Sequence, residues 1–215
     1  HAESIDKSPL RVKNVYSSTG VVDLQFSGGF VDLCRSDVAI RANKINLATD
    51  NSLGDISGIS CPFTIEGTTN EGATINATAK DITLKSKGNL TVGTKFVPRA
   101  GGEGETTPEI EGLFASGNLR LESLGSLTIL GTMSAGGEMF VAATGQFIAI
   151  PESKVLSNGP VTLVLHSLDG SSTPTKLDFL GQLIAPSTII HGSEGQNDVR
   201  FVPAIGSSGE VQLAI

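Results

Sequence analysis

The densest group of reactive side chains in this sequence is acidic: Glu103, Glu105, Glu109 and Glu111 lie close together among Gly104, Thr106, Thr107 and Pro108. Carboxylates on a Gly- and Pro-containing stretch suit a projecting recognition loop, and they equally suit a plain solvated excursion. A second candidate is outward Phe140, at the place that Arg120 holds 20 residues earlier: it marks a contact patch, or it merely rests against Arg120 as an aromatic face under a cation. The repeat frame groups Asp81, Asn118 and Glu138 into one outward column, and Lys85 and Glu122 into another. General acid and base work needs two carboxylates about 5 to 9.5 Å apart in a groove. These columns place an Asn or a Lys beside each acid, so they argue against catalysis.

Other reactive sets are thin. His1, His166 and His191 are far apart, and neither a Gly-x-Ser-x-Gly elbow nor a Cys-His context accompanies them, so no nucleophilic centre is expected. His166 follows Leu165 in a strand and should point outward. Neither Cys-x-x-Cys nor His-Glu-x-x-His occurs, and Asp50, Asn51 and Asp55 around Gly54 fit an Asx turn better than a calcium loop. The expectation is no metal and no cofactor. Cys34 and Cys61, 27 positions apart, either pair in an oxidising compartment or sit buried as small apolar residues, and the sequence leaves both open. Asn76-Ala77-Thr78 and Asn89-Leu90-Thr91 match the glycosylation sequon.

Charge and hydropathy narrow the function classes. Fifteen Lys and Arg against 22 Asp and Glu give a formal charge of −7 with no basic run, which disfavours nucleic acid as a partner. No apolar stretch approaches the roughly 20 residues of a membrane-spanning helix. The opening His1-Ala2-Glu3-Ser4, without Met or an apolar leader, suggests a mature product or an excised piece.

The elements that must position these residues follow from a repeat. Gly117-Asn118-Leu119-Arg120-Leu121-Glu122-Ser123-Leu124-Gly125 overlays Gly137-Glu138-Met139-Phe140-Val141-Ala142-Ala143-Thr144-Gly145 at a constant offset of 20. Apolar or small residues recur at alternate positions and a glycine follows, the signature of short strands broken by turns. Asp81-Ile82-Thr83-Leu84 continues the frame upstream at an offset of 37, with Gly93-Thr94 answering Gly131-Thr132 at 38. The excess of 17 therefore falls after Thr94 and predicts an inserted surface loop at 95–114. Further strands are predicted at Val22/Leu24, Ile45/Leu47, Phe63/Ile65, Val161/Leu163/Leu165, Leu177/Phe179, Val199/Phe201 and Val211/Leu213.

Aromatics make up only 5% of the chain, with no Trp, so the interior must be built from Val, Ile, Leu and Ala. One repeat cannot bury its apolar face alone. Stacked in register at about 4.8 Å, however, Leu84, Leu121, Val141 and Leu163 form one aliphatic column. The predicted fold is all-β: a single domain, 1–215, forming a right-handed parallel β-helix of about ten rungs. A hairpin sandwich is disfavoured because only Asn158-Gly159 and Asp169-Gly170 offer tight hairpin turns.

The phrases Gly117-Asn118-Leu119-Arg120-Leu121, Leu124-Gly125-Ser126-Leu127-Thr128-Ile129-Leu130-Gly131-Thr132 and Ser134-Ala135-Gly136-Gly137 resemble the repeats of filamentous-haemagglutinin-like exoproteins of bacterial two-partner secretion. The resemblance covers Ala79 to Leu165. It implies an extracellular or surface-displayed adhesin, without catalysis, that binds a receptor or glycan on a host or neighbouring cell. The chain departs from the family in lacking the Asn-Pro-Asn motif of its secretion domain and in carrying two cysteines. A carbohydrate-active β-helix, lyase or hydrolase, is the enzymatic alternative, and a passive fibre scaffold with end-to-end self-association is the third.

Overall fold

In the strand Leu119–Ser123 the side chains alternate strictly, with Leu119, Leu121 and Ser123 buried, Arg120 exposed and Glu122 between. Met139–Ala143, Val161–Leu165 and Thr175–Phe179 bury their first, third and fifth residues in the same way. One face of each strand is thus apolar and cannot be left in water, and the strands satisfy it by stacking. The computed structural model describes residues 8–18, 20–31, 38–54, 61–93, 111–166, 175–192 and 197–214, and these hold strands and turns but no helix.

Every pairing among the described strands is parallel. The pairings form three ladders. In the first, one register column runs Leu10, Phe30, Leu53, Ile82, Leu119, Met139, Val161, Thr188, Val211, which is nine positions, buried from Phe30 to Thr188 and exposed at its two ends. The second joins Val21–Gln25, Lys44–Ala48, Ala73–Ala79, Leu90–Val92, Leu127–Ile129, Gln146–Ala149, Thr175–Phe179 and Asn197–Phe201 in succession. The third stacks Gly112–Ala115, Thr132–Ala135, Lys154–Ser157 and the first half of Gln182–His191 on the end of Ala73–Ala79. Because Ala73–Ala79 and Gln182–His191 each serve two ladders, most strands join one large sheet of 20.

The expected column is present in register: Leu84 pairs with Leu121, Leu121 with Val141 and Val141 with Leu163. Two of the expected repeats share a tier with others: Phe63 stacks on Leu84 in the first ladder, and Leu177 on Phe147 in the second. The core is aliphatic through the middle. Toward the ends it carries phenylalanines that composition alone did not place: Phe26–Phe30–Phe63 at 6.2 and 6.4 Å, and Phe147–Phe179–Phe201 at 6.5 and 5.2 Å.

The inserted loop needs correcting at its far edge. Gly112–Ala115 is a strand whose Leu113 is fully buried, so the last residues of the expected 95–114 loop belong to the sheet. Thr132 pairs with Gly112, and Thr94 lies outside the described residues together with 95–110. The repeat frame misses this strand because Gly112 looks like loop punctuation. Its φ of +139° is a glycine conformation, and a Cβ there would lie 1.8 Å from the Thr132 carbonyl oxygen.

Candidate functional site

Two sets of side chains tie each tier to the next at the corners. Asp81 Oδ1 accepts from the Asn118 backbone N–H at 2.9 Å, and Asn118 Oδ1 accepts from that of Glu138 at 2.9 Å. On the other side of the first ladder, Asn89 Oδ1 accepts from Ser126 N–H at 2.9 Å, and Ser126 Oγ from Gln146 N–H at 3.3 Å. The predicted Asp81, Asn118, Glu138 column is therefore real, but its work is structural. Each oxygen satisfies a backbone donor that turns away from the strand ladder at the corner. Asp81 Oδ2 also accepts from Ser52 Oγ at 3.3 Å, so both of its oxygens are engaged.

This column borders an open groove of about 410 Å³ on the outer side of the first ladder, lined chiefly by Ser52, Asp81, Thr83, Arg120, Glu138 and Phe140. Leu53 makes a single parallel bridge to Ile82, and the chain then turns at Gly54, whose φ is +102° and whose Cβ would lie 2.2 Å from the Thr83 carbonyl oxygen. Only a glycine lets the backbone pass that close.

The predicted pair Arg120 and Phe140 meets inside this groove. Their positions are paired across adjacent strands, and the guanidinium carbon lies 4.2 Å from the ring centroid. Glu122, two residues along the same strand, accepts from Arg120 Nε at 3.1 Å and Nη2 at 2.5 Å, and it also lies 3.9 Å from Lys85 Nζ. The guanidinium is thereby held as a flat polar plate on an aromatic base.

The other candidates fall elsewhere. Glu111 stands at the root of the excursion, where its backbone carbonyl accepts from Thr132 N–H at 3.1 Å; Glu103, Glu105 and Glu109 lie outside the described residues. His166 and His191 are exposed on separate strand ends, and His1 lies outside the described residues. Asn51 donates to the Ser27 carbonyl oxygen at 3.4 Å and its N–H to Thr49 Oγ1 at 3.2 Å, a local turn arrangement; Asp55 lies outside the described residues. Cys61 is disulfide-bonded, and the one other cysteine, Cys34, lies outside the described residues.

Of the two sequons, Asn76 is closed to modification. It is 2% exposed, its Nδ2 donates to Asn46 Oδ1 at 3.0 Å, and its Oδ1 accepts from Gly112 N–H at 3.0 Å. Sequence reasoning missed this role, which is to hold the strand that re-enters the stack after the excursion. An Asn facing away from the core beside a long insertion was the available signal. Asn89 is exposed, though its amide is engaged with Asn70 and Ser126. Comparison of the chain with family models, with curated proteins and with solved structures finds no match to any of them.

Proposed function

We propose that the chain is a right-handed parallel β-helix that acts as a non-catalytic, adhesin-type binding module, exported by a bacterium and attaching to glycans of a host or neighbouring cell. The nine-position register column supports about nine rungs, and parallel crossovers within one sheet are right-handed in about 98% of cases. The disulfide at Cys61 favours an oxidising compartment, hence export. The repeats that resemble filamentous-haemagglutinin-like exoproteins are also the most regular tiers of the stack.

The observation that carries the binding reading is the Arg120 plate on Phe140 inside an open groove edged by Glu138. An apolar base with fixed donors and acceptors around it is what recognition of a polyhydroxylated ligand requires. Catalysis is disfavoured because Asp81, the second carboxylate on the groove, spends both oxygens on its neighbours. A glycan array tests the reading: the chain binds a defined set of glycans without releasing new reducing ends or unsaturated products, and Arg120→Ala weakens binding by at least about tenfold. Cleavage products would make the chain a carbohydrate-active enzyme. Filaments with no glycan bound would make it a passive scaffold.

A further inference from the structure

We infer that Glu138 is the ligand-contacting carboxylate of this groove, released for that role by Pro160, and that with Arg120 it reads adjacent hydroxyl groups of a neutral sugar. The inference deepens the glycan-binding reading and depends on it.

The argument starts from the corner column. At equivalent places, Asp81 and Asn118 each lend a side-chain oxygen to the backbone N–H of the tier above. The residue above Glu138 is Pro160, since Met139 pairs with Val161 and the Met139 N–H is accepted by the Pro160 carbonyl oxygen at 3.0 Å. Proline has no N–H, so the device that consumes Asp81 and Asn118 has nothing to engage at Glu138. Glu138 is exposed, its own N–H is satisfied by Asn118, and its carboxylate makes no ion pair among those of the described residues. Within a column built for stacking, it is the first carboxylate left over for something else.

Its surroundings narrow the ligand. Outward residues on neighbouring strands, offset by two places, are about 7 to 8 Å apart, so Glu138 and Arg120 can converge on one ring-sized group. An anionic ligand would meet the Glu138 and Asp81 carboxylates, and a cationic one the guanidinium of Arg120. Neighbouring hydroxyls suit both groups, one donating to the carboxylate and the next accepting from the guanidinium.

The test titrates cellotetraose, maltotetraose and tetra-N-acetylchitotetraose into the full chain by calorimetry. At least one binds, and Glu138→Ala weakens it by about tenfold, the loss of a charge-assisted hydrogen bond, without lowering Tm. Pro160→Ala gives the tier above a backbone N–H; the carboxylate is still present but engaged, so binding weakens several-fold while the new amide at position 160 is protected from exchange. Asn118→Ala lowers Tm, marking the structural members of the column. If Glu138→Ala or Pro160→Ala binds like the parent, or if none of the three tetrasaccharides binds, the inference falls. A glycan whose binding is lost in Arg120→Ala but unchanged in Glu138→Ala would remove the inference and leave the glycan-binding reading standing.

Discussion

Between Ser116 and Asn158 the chain climbs in nearly equal steps, whereas between Ser27 and Glu111 it does not, yet both regions fill the same inner columns. In the first ladder, Leu119 to Met139 takes 20 residues and Met139 to Val161 takes 22, while Phe30 to Leu53 takes 23, Leu53 to Ile82 takes 29 and Ile82 to Leu119 takes 37. What stays constant is which residues face inward and how each corner closes. Length is free wherever the chain can leave the stack at a corner or at a break in a strand. The clearest break is in the tier of Leu53. Ile82 and Leu84 are separated by one residue, but their partners Leu53 and Phe63 are separated by nine.

A split strand has fewer ladder bonds, and the early region carries ties of its own that compensate. Phe30 and Phe63 pack ring to ring at 6.4 Å, Arg41 pairs with Glu66 at 2.5 Å, and Cys61 is disulfide-bonded. The exposed ion pair contributes little, so the covalent tie should dominate. Replacing both cysteines by serine is expected to cost about 3 kcal/mol by the loop-entropy estimate, measured by urea denaturation. Amide protection should fall first in Ile40–Arg41 and Phe63–Glu66, with Leu119–Ser123 holding longer. Equal loss of protection in both regions would mean that the disulfide does not compensate for the split strand.

The regular region was legible in the sequence because its period is constant. Leu121 over Val141 follows from the offset of 20, and Leu84 under Leu121 from the offset of 37. The corner column Asp81, Asn118, Glu138 was legible as a column but not as a set of backbone acceptors, because stacking predicts which side chains are neighbours and not which lone pairs are used. The Arg120 and Phe140 contact was legible for the same reason that the core was: both sit at one register position. The groove was not, since it is bounded by side chains from several tiers and no periodic signal marks the turn at Gly54 beside it. Ladders and tiers are hard to tell apart for a related reason. Strands from different ladders, such as Val161–Leu165 and Thr175–Phe179, look alike in sequence although they belong to one turn of the chain.

Asn76 sharpens the comparison at the irregular end. Its amide bridges Asn46 and the Gly112 N–H, and no regular tier needs such a bridge because no regular tier has a long excursion to close. Asn76→Ala leaves a buried N–H without an acceptor and is expected to cost about 2 kcal/mol. The loss should appear as faster exchange in Gly112–Ala115, with Leu127–Ile129 unaffected. If Asn76→Ala is neutral, water replaces the amide and the excursion is held by its flanking strands alone.

The smallest effect is expected from the largest change. Ile129 and Thr132 are joined by two residues, Leu130 and Gly131, whereas their partners Val92 and Gly112 are joined by the 19 residues from Gly93 to Glu111. Deleting 94–110 leaves Gly93 and Glu111 as a corner of the regular length, the flanking strands keep their partners, and the Gly112 N–H keeps Asn76. Shortening the connection by about three doublings favours the folded chain by about 2 kcal/mol, and fixing two corner residues at about 1 kcal/mol each takes back about 2 kcal/mol. Stability should then stay within about 1 kcal/mol of the parent, read from the same urea curves, with an unchanged denaturant slope. Loss of cooperative unfolding on deletion would show that the irregular tiers need their extra length, and the two regions would then not share one stacking rule.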